Sequence, residues 1–228
     1  MTSSTVNLTD LADRYGSDKG SSKHRYTELY HMLFNPYRRR KINFLEMGLL
    51  IGGPEHGIDA DRKTTDLPSI RMWMEYFPKA HIHGLDVSDF AWFKDPRFTF
   101  HRCDMDDRAQ IAKSVDEIEG GLDIVIDDAS HASHHQQNAF LEIFPRLRSG
   151  GLYVIEDLRW QPKTYEMPGI TKTSALLRSY IDHRTFSHSD PEVAGAFNAL
   201  IPDMSACIVM PVKYQKHRRD QVAVIHKR

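Results

Sequence analysis

Two pairs of acidic side chains stand at the ends of two apolar runs, where together they could bind a cation. Asp127 and Asp128 end one run, and Glu156 and Asp157 end the next. Both runs are typical of buried strands, and the carboxyl ends of neighbouring parallel strands meet at one sheet edge, so we expect the four carboxylates to lie close together. Four carboxylates repel one another unless a cation lies among them, and oxygen-only ligands suit Mg²⁺, Mn²⁺ or Ca²⁺. One member of each pair can point away from the site, because neighbouring residues of a strand alternate between faces. For any single one of these acids, the alternative is that it caps a helix or is an ordinary surface charge.

A histidine follows the first acidic pair and suits proton transfer. His131 comes three residues after Asp128, and a neutral imidazole with a pKa near ~6.5 can take a proton from a hydroxyl group at neutral pH. A metal bound to the same hydroxyl would lower its pKa and help. His135 lies four residues after His131, so a zinc site formed by these two histidines is an alternative. However, no glutamate lies between them as zincin chemistry requires. We favour His131 as a general base and a packing or supporting role for His135.

A glycine and an aspartate indicate a nucleoside site at the same edge. Gly48 follows the first predicted strand and permits a sharp turn, and Asp86 ends the second strand, where it can accept hydrogen bonds from a ribose diol. Their separation is about 18 residues longer than in the dinucleotide-binding pattern. We assign the excess to an inserted polar loop, Gly52–Pro68, followed by a helix that Asp66 or Ser69 would cap. Because no third glycine prepares the chain for a pyrophosphate, a phosphate-free cofactor such as S-adenosylmethionine fits better than a dinucleotide.

The elements that must position these residues alternate between strand and helix, which predicts an α/β fold. Strands are expected at Ile42–Met47, His81–Val87, Phe98–Arg102, Leu122–Asp127 and Gly151–Glu156, and helices at Tyr26–Phe34, Ile70–Phe77, Arg108–Ile118 and Ser133–Arg146. Two further β-rich runs, Ser205–Val212 and Gln221–His226, are joined by a charged connection, Gln215–Asp220, without a helix. The prediction is a doubly wound, mostly parallel seven-stranded sheet with helices on both faces and an antiparallel C-terminal strand pair.

Composition limits the classes of protein to which the chain can belong. Its 228 residues are 40% hydrophobic and 27% charged, which predicts one folded domain over residues 1–228. A net charge of −1 argues against a nucleic-acid partner, and no window approaches ~18 consecutive apolar residues, so no membrane span is expected. A polar N-terminus without a secretory signal, and cysteines only at Cys103 and Cys207, favour a cytoplasmic location.

Several segments taken together resemble a known family. They are Tyr15–Gly20 with His24, Tyr26 and Tyr30, then Phe44–Gly48, Ser69–Trp73, Tyr76–Ala80, Ile82–Asp86, Asp123–His131 with His135–Gln136, and Phe144–Leu158. This set resembles the metal-dependent class I S-adenosylmethionine-dependent O-methyltransferases that modify sugars of natural products. The mycinamicin-type macrolide sugar O-methyltransferases belong to that family, and a cephalosporin-hydroxylase-related group is related to it. The resemblance covers most of Leu11–Leu158 and fades beyond it.

The resemblance implies a role for each matched residue. Asp128, Glu156 and Asp157 would bind Mg²⁺ (or Mn²⁺ or Ca²⁺), and His131 would be the general base. The residues implied to bind S-adenosylmethionine are Glu46, Gly48, Ser69, Asp86 and Asp104, and those implied to help close its site are Ser17–Lys19 and Tyr26. The chain departs from the family pattern at Met105, where a glutamine that contacts adenine is usual.

The implied fold is a Rossmann-like class I methyltransferase, and the implied function is methyl transfer to a hydroxyl group of a small molecule, above all a sugar of a natural product or glycoconjugate. Residues 1–40 would form a helical cap, 52–68 the inserted loop and 159–202 a cover over the acceptor. A metal-dependent hydroxylase of the cephalosporin-hydroxylase type, a NAD-type Rossmann oxidoreductase and a non-catalytic adenosyl-ligand sensor are alternatives. The expected partner is the sugar-bearing acceptor, with no nucleic acid or membrane, and a homo-oligomer stays open.

Overall fold

The computed structural model describes residues 6–213 and 219–228, and within them the chain forms a seven-stranded sheet packed between helices. The strands are β1 (Asn43–Met47), β2 (His81–Asp86), β3 (Phe98–Arg102), β4 (Leu122–Asp127), β5 (Leu147–Ile155), β6 (Met204–Lys213) and β7 (Arg219–Lys227). The helices are α1 (Leu8–Tyr15), α2 (Tyr26–Phe34), α3 (Pro68–Tyr76), α4 (Arg108–Asp116), α5 (Ser133–Ile143), α6 (Thr173–His183) and α7 (Pro191–Ala199).

The strand order is β3-β2-β1-β4-β5-β7-β6. Strands β1 to β5 pair in parallel, whereas β7 runs antiparallel to both β5 and β6, which confirms the predicted mixed sheet. The order reverses between β1 and β4, and a ligand crevice forms at such a switch point, outside the carboxyl ends of the strands. The loops that follow β1 and β4 therefore lie side by side at the predicted site.

Both faces of the sheet are buried, and successive residues of β1 show how. Phe44 packs into the cluster formed with α1, α2 and α3, whereas Leu45 packs into the cluster formed with α4, α5, α6 and α7. Trp73 of α3 is fully buried, and its ring centroid lies 4.9 Å from that of Phe44. A strand covered on both faces favours apolar side chains on both, which is why the central strand β4 is buried at every position and largely apolar, whereas the edge strand β3 carries polar residues.

The structure differs from the sequence prediction mainly at helix ends. Neither Asp66 nor Ser69 caps α3, since its N-cap is Leu67 and Pro68 occupies the first turn. Proline has no N–H group that needs a cap and already holds a helical φ, so a side-chain cap is not required there. Helix α1 lies within residues 1–40, for which a helical cap is predicted without bounds, and no helix is predicted at the positions of α6 and α7.

Two further sequence predictions can be compared with the described residues. Of the predicted connection Gln215–Asp220, residues 215–218 lie outside the described residues. In residues 6–213 and 219–228, no helix combines the length and the apolar character that crossing a bilayer requires.

Candidate active site

A cleft of about 1140 Å³ opens at the carboxyl ends of the parallel strands. Its lining includes most of the predicted site residues: Ser17, Gly48, Ser69, Asp86, Asp104, Asp128, His131 and Asp157. The remaining predicted residues, Tyr26, Glu46 and Glu156, are buried and contact residues that line the cleft. The fold thus gathers at one edge side chains that are far apart in the sequence.

Gly48 fits where no other residue would. Its φ is +78°, in the left-handed region that glycine enters without steric cost, and its N–H donates to the Leu85 carbonyl at 2.9 Å. A Cβ atom there would lie 2.1 Å from the carbonyl oxygen of Asp128. The loops after β1 and β4 therefore pack backbone against backbone at the switch point.

Asp86 is held rigidly at the end of β2. Its Oδ2 accepts from the Leu49 N–H and its Oδ1 from the Ser88 N–H, both at 2.8 Å. Burial raises the pKa of its carboxyl, and these two hydrogen bonds lower it. Each carboxylate oxygen has a second acceptor site for a ligand hydroxyl group, as a ribose-binding residue requires.

Two other predicted cofactor residues are also fixed by hydrogen bonds. Asp104, after β3, accepts from the Asp106 N–H at 3.0 Å, and Met105 lies beside it in the cleft lining. Ser69 donates its hydroxyl to Glu46 Oε2 at 2.7 Å. Burial raises the pKa of Glu46 to about 7. Glu46 therefore supports the cleft from behind.

His131 and Asp157 face each other with unusual backbones. Their φ angles are +61° and +50°, and such left-handed conformations in non-glycine residues are strained and frequent at functional sites. His131 Nε2 lies 3.7 Å from Asp157 Oδ2 and 4.0 Å from Asp128 Oδ1. Burial lowers the pKa of His131 below its usual value, so the ring is neutral at pH 7 and can accept a proton.

The same residues form a candidate cation site. One donor atom each from Asp128, His131 and Asp157 all lie within 4.8 Å of one another. Two carboxylates with room for water or a hydroxyl group fit Mg²⁺, which keeps several non-protein oxygen ligands. Asp127 is buried and does not line the cleft, so it is the member of the first acidic pair that points away.

Glu156 is engaged differently from the other predicted metal ligands. Its Oε1 accepts from the Tyr30 hydroxyl at 2.6 Å, and its Oε2 accepts from Lys19 Nζ at 2.9 Å. It is fully buried, and it does not belong to the donor group formed by Asp128, His131 and Asp157.

Two sets of contacts at this site go beyond the roles that the sequence predicts. Lys19, which the resemblance places with Ser17 among the residues that close the site, donates from Nζ to both Asp128 Oδ2 and Glu156 Oε2. Asp220 and His24 form a second donor group with Asp157, again within 4.8 Å. Burial and the Asp220 carboxyl raise the pKa of Asp157 well above its usual range. The sequence could have predicted Asp220 at this site. It stands at the start of a C-terminal strand that runs antiparallel to β5, and such a strand begins at the sheet edge where β5 ends.

The inserted loop and the chain after β5 meet over the cleft. The His56 ring stacks on Trp160 with 5.5 Å between centroids, and Thr164 donates to the Glu55 carbonyl at 3.2 Å. Trp160 also contacts the His131 ring edge-on at 5.3 Å. This side of the cleft therefore presents aromatic surface next to the candidate base.

A third donor group lies near Asp104. Nε2 of His134 and of His135 stand 3.5 and 3.8 Å from Asp106 Oδ1, and Asp106 is exposed. His135 Nδ1 also forms a 2.6 Å hydrogen bond with the Ser130 hydroxyl, so His135 contacts the loop that carries His131.

Comparison with known proteins gives a consistent set of relatives. No family model matches the chain. It is 41% identical over 152 residues to an 8-demethyl-8-alpha-L-rhamnosyl tetracenomycin-C 2'-O-methyltransferase of Streptomyces olivaceus, a match that covers 67% of this chain and 38% of the relative. It is 36% identical over 151 residues to the mycinamicin VI 2''-O-methyltransferase of Micromonospora griseorubida, which covers 66% of this chain and 36% of the relative. The matched segments thus cover well under half the length of these curated relatives.

Solved structures agree with these relatives. The MycE methyltransferase of mycinamycin biosynthesis, in complex with Mg, S-adenosylhomocysteine (SAH) and mycinamycin VI, superposes with a TM-score of 0.71 at 28% identity. That match covers 99% of this chain and 55% of MycE. The relatives give no support to the hydroxylase or the nicotinamide-dependent alternatives. With its sheet order, its strand-end cleft and these relatives, the chain has the class I methyltransferase fold and is a homologue of the sugar O-methyltransferases of natural-product pathways.

Proposed function

We propose that this chain carries the catalytic site of an S-adenosylmethionine-dependent, Mg²⁺-dependent O-methyltransferase whose acceptor is a sugar hydroxyl of a natural product. The relatives named for methylation of a rhamnosyl tetracenomycin and of mycinamicin VI support the reaction class. The MycE complex with Mg and SAH supports the cofactor pair.

One observation carries the proposal. A neutral histidine, His131, stands between the carboxylates of Asp128 and Asp157 in the same cleft as the Gly48 turn and Asp86. A base, an anionic donor set and a nucleoside-binding edge in a single cleft are the three requirements of metal-assisted methyl transfer to a hydroxyl group.

The cofactor would lie along the ends of β1, β2 and β3. Asp86 would accept from the ribose hydroxyl groups, and the backbone at Gly48 would permit close approach. Ser69, at the start of α3, would contact the amino-acid end, with Glu46 behind it. Asp104 and Met105 would flank the adenine, with the Met105 thioether replacing an amide.

Asp128 and Asp157 would hold the cation, with Glu156 as the third ligand that the sequence predicts. A bound Mg²⁺ acts as a Lewis acid that lowers the pKa of a hydroxyl group. His131 Nε2 would take the hydroxyl proton, which frees the acceptor oxygen to attack the methyl group in line. Asp128 and Asp157, at 4.0 and 3.7 Å, would stabilise the imidazolium that forms.

The acceptor would enter beside the aromatic surface. Trp160 contacts the candidate base and stacks with His56 of the inserted loop, so a sugar ring placed over His131 would meet an aromatic face. We propose that residues 52–68 and the first part of residues 159–202 form the acceptor side of the cleft, and that 1–40 closes it from the opposite side through Tyr26 and Ser17.

The test compares His131→Gln with the wild type and with a control, His183→Gln, at an exposed position of α6. Release of SAH is measured with mycinamicin VI and with a rhamnosylated tetracenomycin as acceptors, and SAH binding is measured by calorimetry. We expect His131→Gln to lose about 10²–10⁴-fold in turnover with SAH affinity unchanged, since only proton transfer is removed. Wild-type turnover in His131→Gln would contradict the base assignment, and absence of SAH binding to the wild type would contradict the cofactor assignment.

A further inference from the structure

Lys19 lies at the centre of the acidic edge, and only 1% of its side chain is exposed. Its Nζ donates to Asp128 Oδ2 and, at 2.9 Å, to Glu156 Oε2, and it lies 3.5 Å from Glu46 Oε1. A buried ammonium group is strongly unfavourable unless it is paired, and here it has three carboxyl neighbours. These carboxylates come from the ends of three adjacent strands, β1, β4 and β5.

Each of the two glutamates contacts Lys19 through one oxygen and accepts a hydrogen bond from another side chain at the other. In Glu156, one oxygen binds Lys19 and the other accepts from the Tyr30 hydroxyl at 2.6 Å. In Glu46, one oxygen faces Lys19 and the other accepts from the Ser69 hydroxyl at 2.7 Å. Lys19 therefore joins the wall behind the predicted cofactor site to the predicted cation ligands.

The segment that carries Lys19 is itself rigid. The Lys19 carbonyl accepts from both the N–H and the hydroxyl of Thr27 at 3.1 Å. Gly20 allows close packing on α1, because a Cβ there would lie 2.3 Å from Asp13 Oδ1. These contacts fix the backbone at Lys19, so the side chain starts from a defined position next to the carboxylates.

We propose that Lys19 is a positioning residue: a resident counter-ion that holds Glu46, Asp128 and Glu156 in one arrangement before a divalent cation binds. The inference rests on the proposed function for the identity of that cation, Mg²⁺. Without the ammonium group, the three carboxylates have no internal cation, and the divalent ion becomes the main source of positive charge for them. Loss of Lys19 should therefore make folding stability depend more strongly on Mg²⁺.

The test replaces the charge while preserving the apolar stem, in Lys19→Met. The matched control is Lys227→Met, which removes another buried lysine that pairs with Asp203 at 3.2 Å and does not line the cleft. Thermal unfolding is followed in EDTA and in saturating Mg²⁺, without S-adenosylmethionine or acceptor. We expect Lys19→Met to lower the midpoint in EDTA by about 10 °C, because it leaves buried charges without a partner.

The Mg²⁺ response separates a counter-ion from a packing residue. We expect Mg²⁺ to raise the midpoint of Lys19→Met by at least about 5 °C more than that of the wild type or of Lys227→Met. An equal rise in all three proteins would overturn the proposal. If Mg²⁺ raises none of them, the metal part of the proposed function fails, and the role of Lys19 is decided by the double variant.

The double variant Lys19→Met/Glu46→Gln removes one carboxylate together with the lysine. A counter-ion role predicts that it unfolds at a higher temperature in EDTA than Lys19→Met, because one uncompensated charge is gone. A double variant that loses the sum of the two single losses would refute the role. Should Lys19→Met fail to fold, a folded double variant supports the proposal and an unfolded one refutes it.

Discussion

Replacing Gly48 with alanine should separate the two loops that meet at the switch point. The alanine Cβ would lie 2.1 Å from the Asp128 carbonyl oxygen and 2.7 Å from the Ala129 Cα atom. Since an ordinary contact needs about 3.4 Å, the backbone at Asp128 must move by about 1.3 Å. Both atoms belong to backbone, so no side-chain rotation can relieve the contact.

The cost has two parts, and the chain offers a control for one of them. Holding an alanine at φ +78° costs about 1–2 kcal/mol, and forced overpacking adds about 1–3 kcal/mol. Gly150 has the same φ of +78°, and no atom lies within 4 Å of the position that an alanine methyl group would take there, so Gly150→Ala carries the first cost alone. We expect losses of about 1–2 kcal/mol for Gly150→Ala and about 2–5 kcal/mol for Gly48→Ala.

Urea unfolding measures both losses, and calorimetry measures SAH and Mn²⁺ binding. A displacement of about 1 Å can cost ~10²-fold where geometry matters, so Gly48→Ala should weaken both ligands by at least about tenfold. Gly150→Ala should bind both as the wild type does. Equal stability losses and unchanged binding in the two variants would refute the argument that the loops are in hard contact.

Three further predictions follow from the same geometry. Asp86→Asn should weaken SAH binding by about tenfold or more, because a charged hydrogen-bond acceptor is lost, whereas the control Asp89→Asn should bind SAH as the wild type does. If calorimetric titration gives Asp86→Asn the same SAH affinity as the wild type, Asp86 is not part of the cofactor site. Incubation with EDTA should abolish methyl transfer and added Mg²⁺ should restore it, and activity that ignores the chelator would exclude the metal from the reaction. Burial lowers the pKa of His83 to about 3, well below its value near ~6.5 in an unfolded chain, so the unfolded state binds more protons between these limits. The free energy of unfolding should therefore fall as pH falls below about 6.5, by up to ~1.4 kcal/mol per pH unit. In urea titrations, His83→Gln should make the free energy of unfolding depend less on pH. An unchanged pH dependence in that variant would show that the ring is freely solvated.

The strands were predictable because burial on both sheet faces demands unbroken apolar runs. Strands β3 and β4 have the predicted bounds, and β5 begins earlier because Leu147 still pairs with Leu122 across a bulge. The acidic pairs were predictable for the same reason, since strand ends define the ligand edge. The resemblance places Lys19 near the site, but its carboxylate partners were not predictable, because nothing local in a polar loop records a contact with a carboxylate 137 residues away.

That long separation also bears on how the protein is made. Lys19 is synthesised 109 residues before Asp128 and 137 before Glu156, so its ammonium group stays in water until β4 and β5 exist. At about 5–20 residues per second, that interval lasts roughly 7–27 s on the ribosome. Contacts that close such long loops form late, because the chain must lose conformational entropy before the contact energy is gained. The acidic edge is therefore among the last parts of the nascent chain to mature, and a premature stop before the end of β5 would leave Lys19 without Glu156.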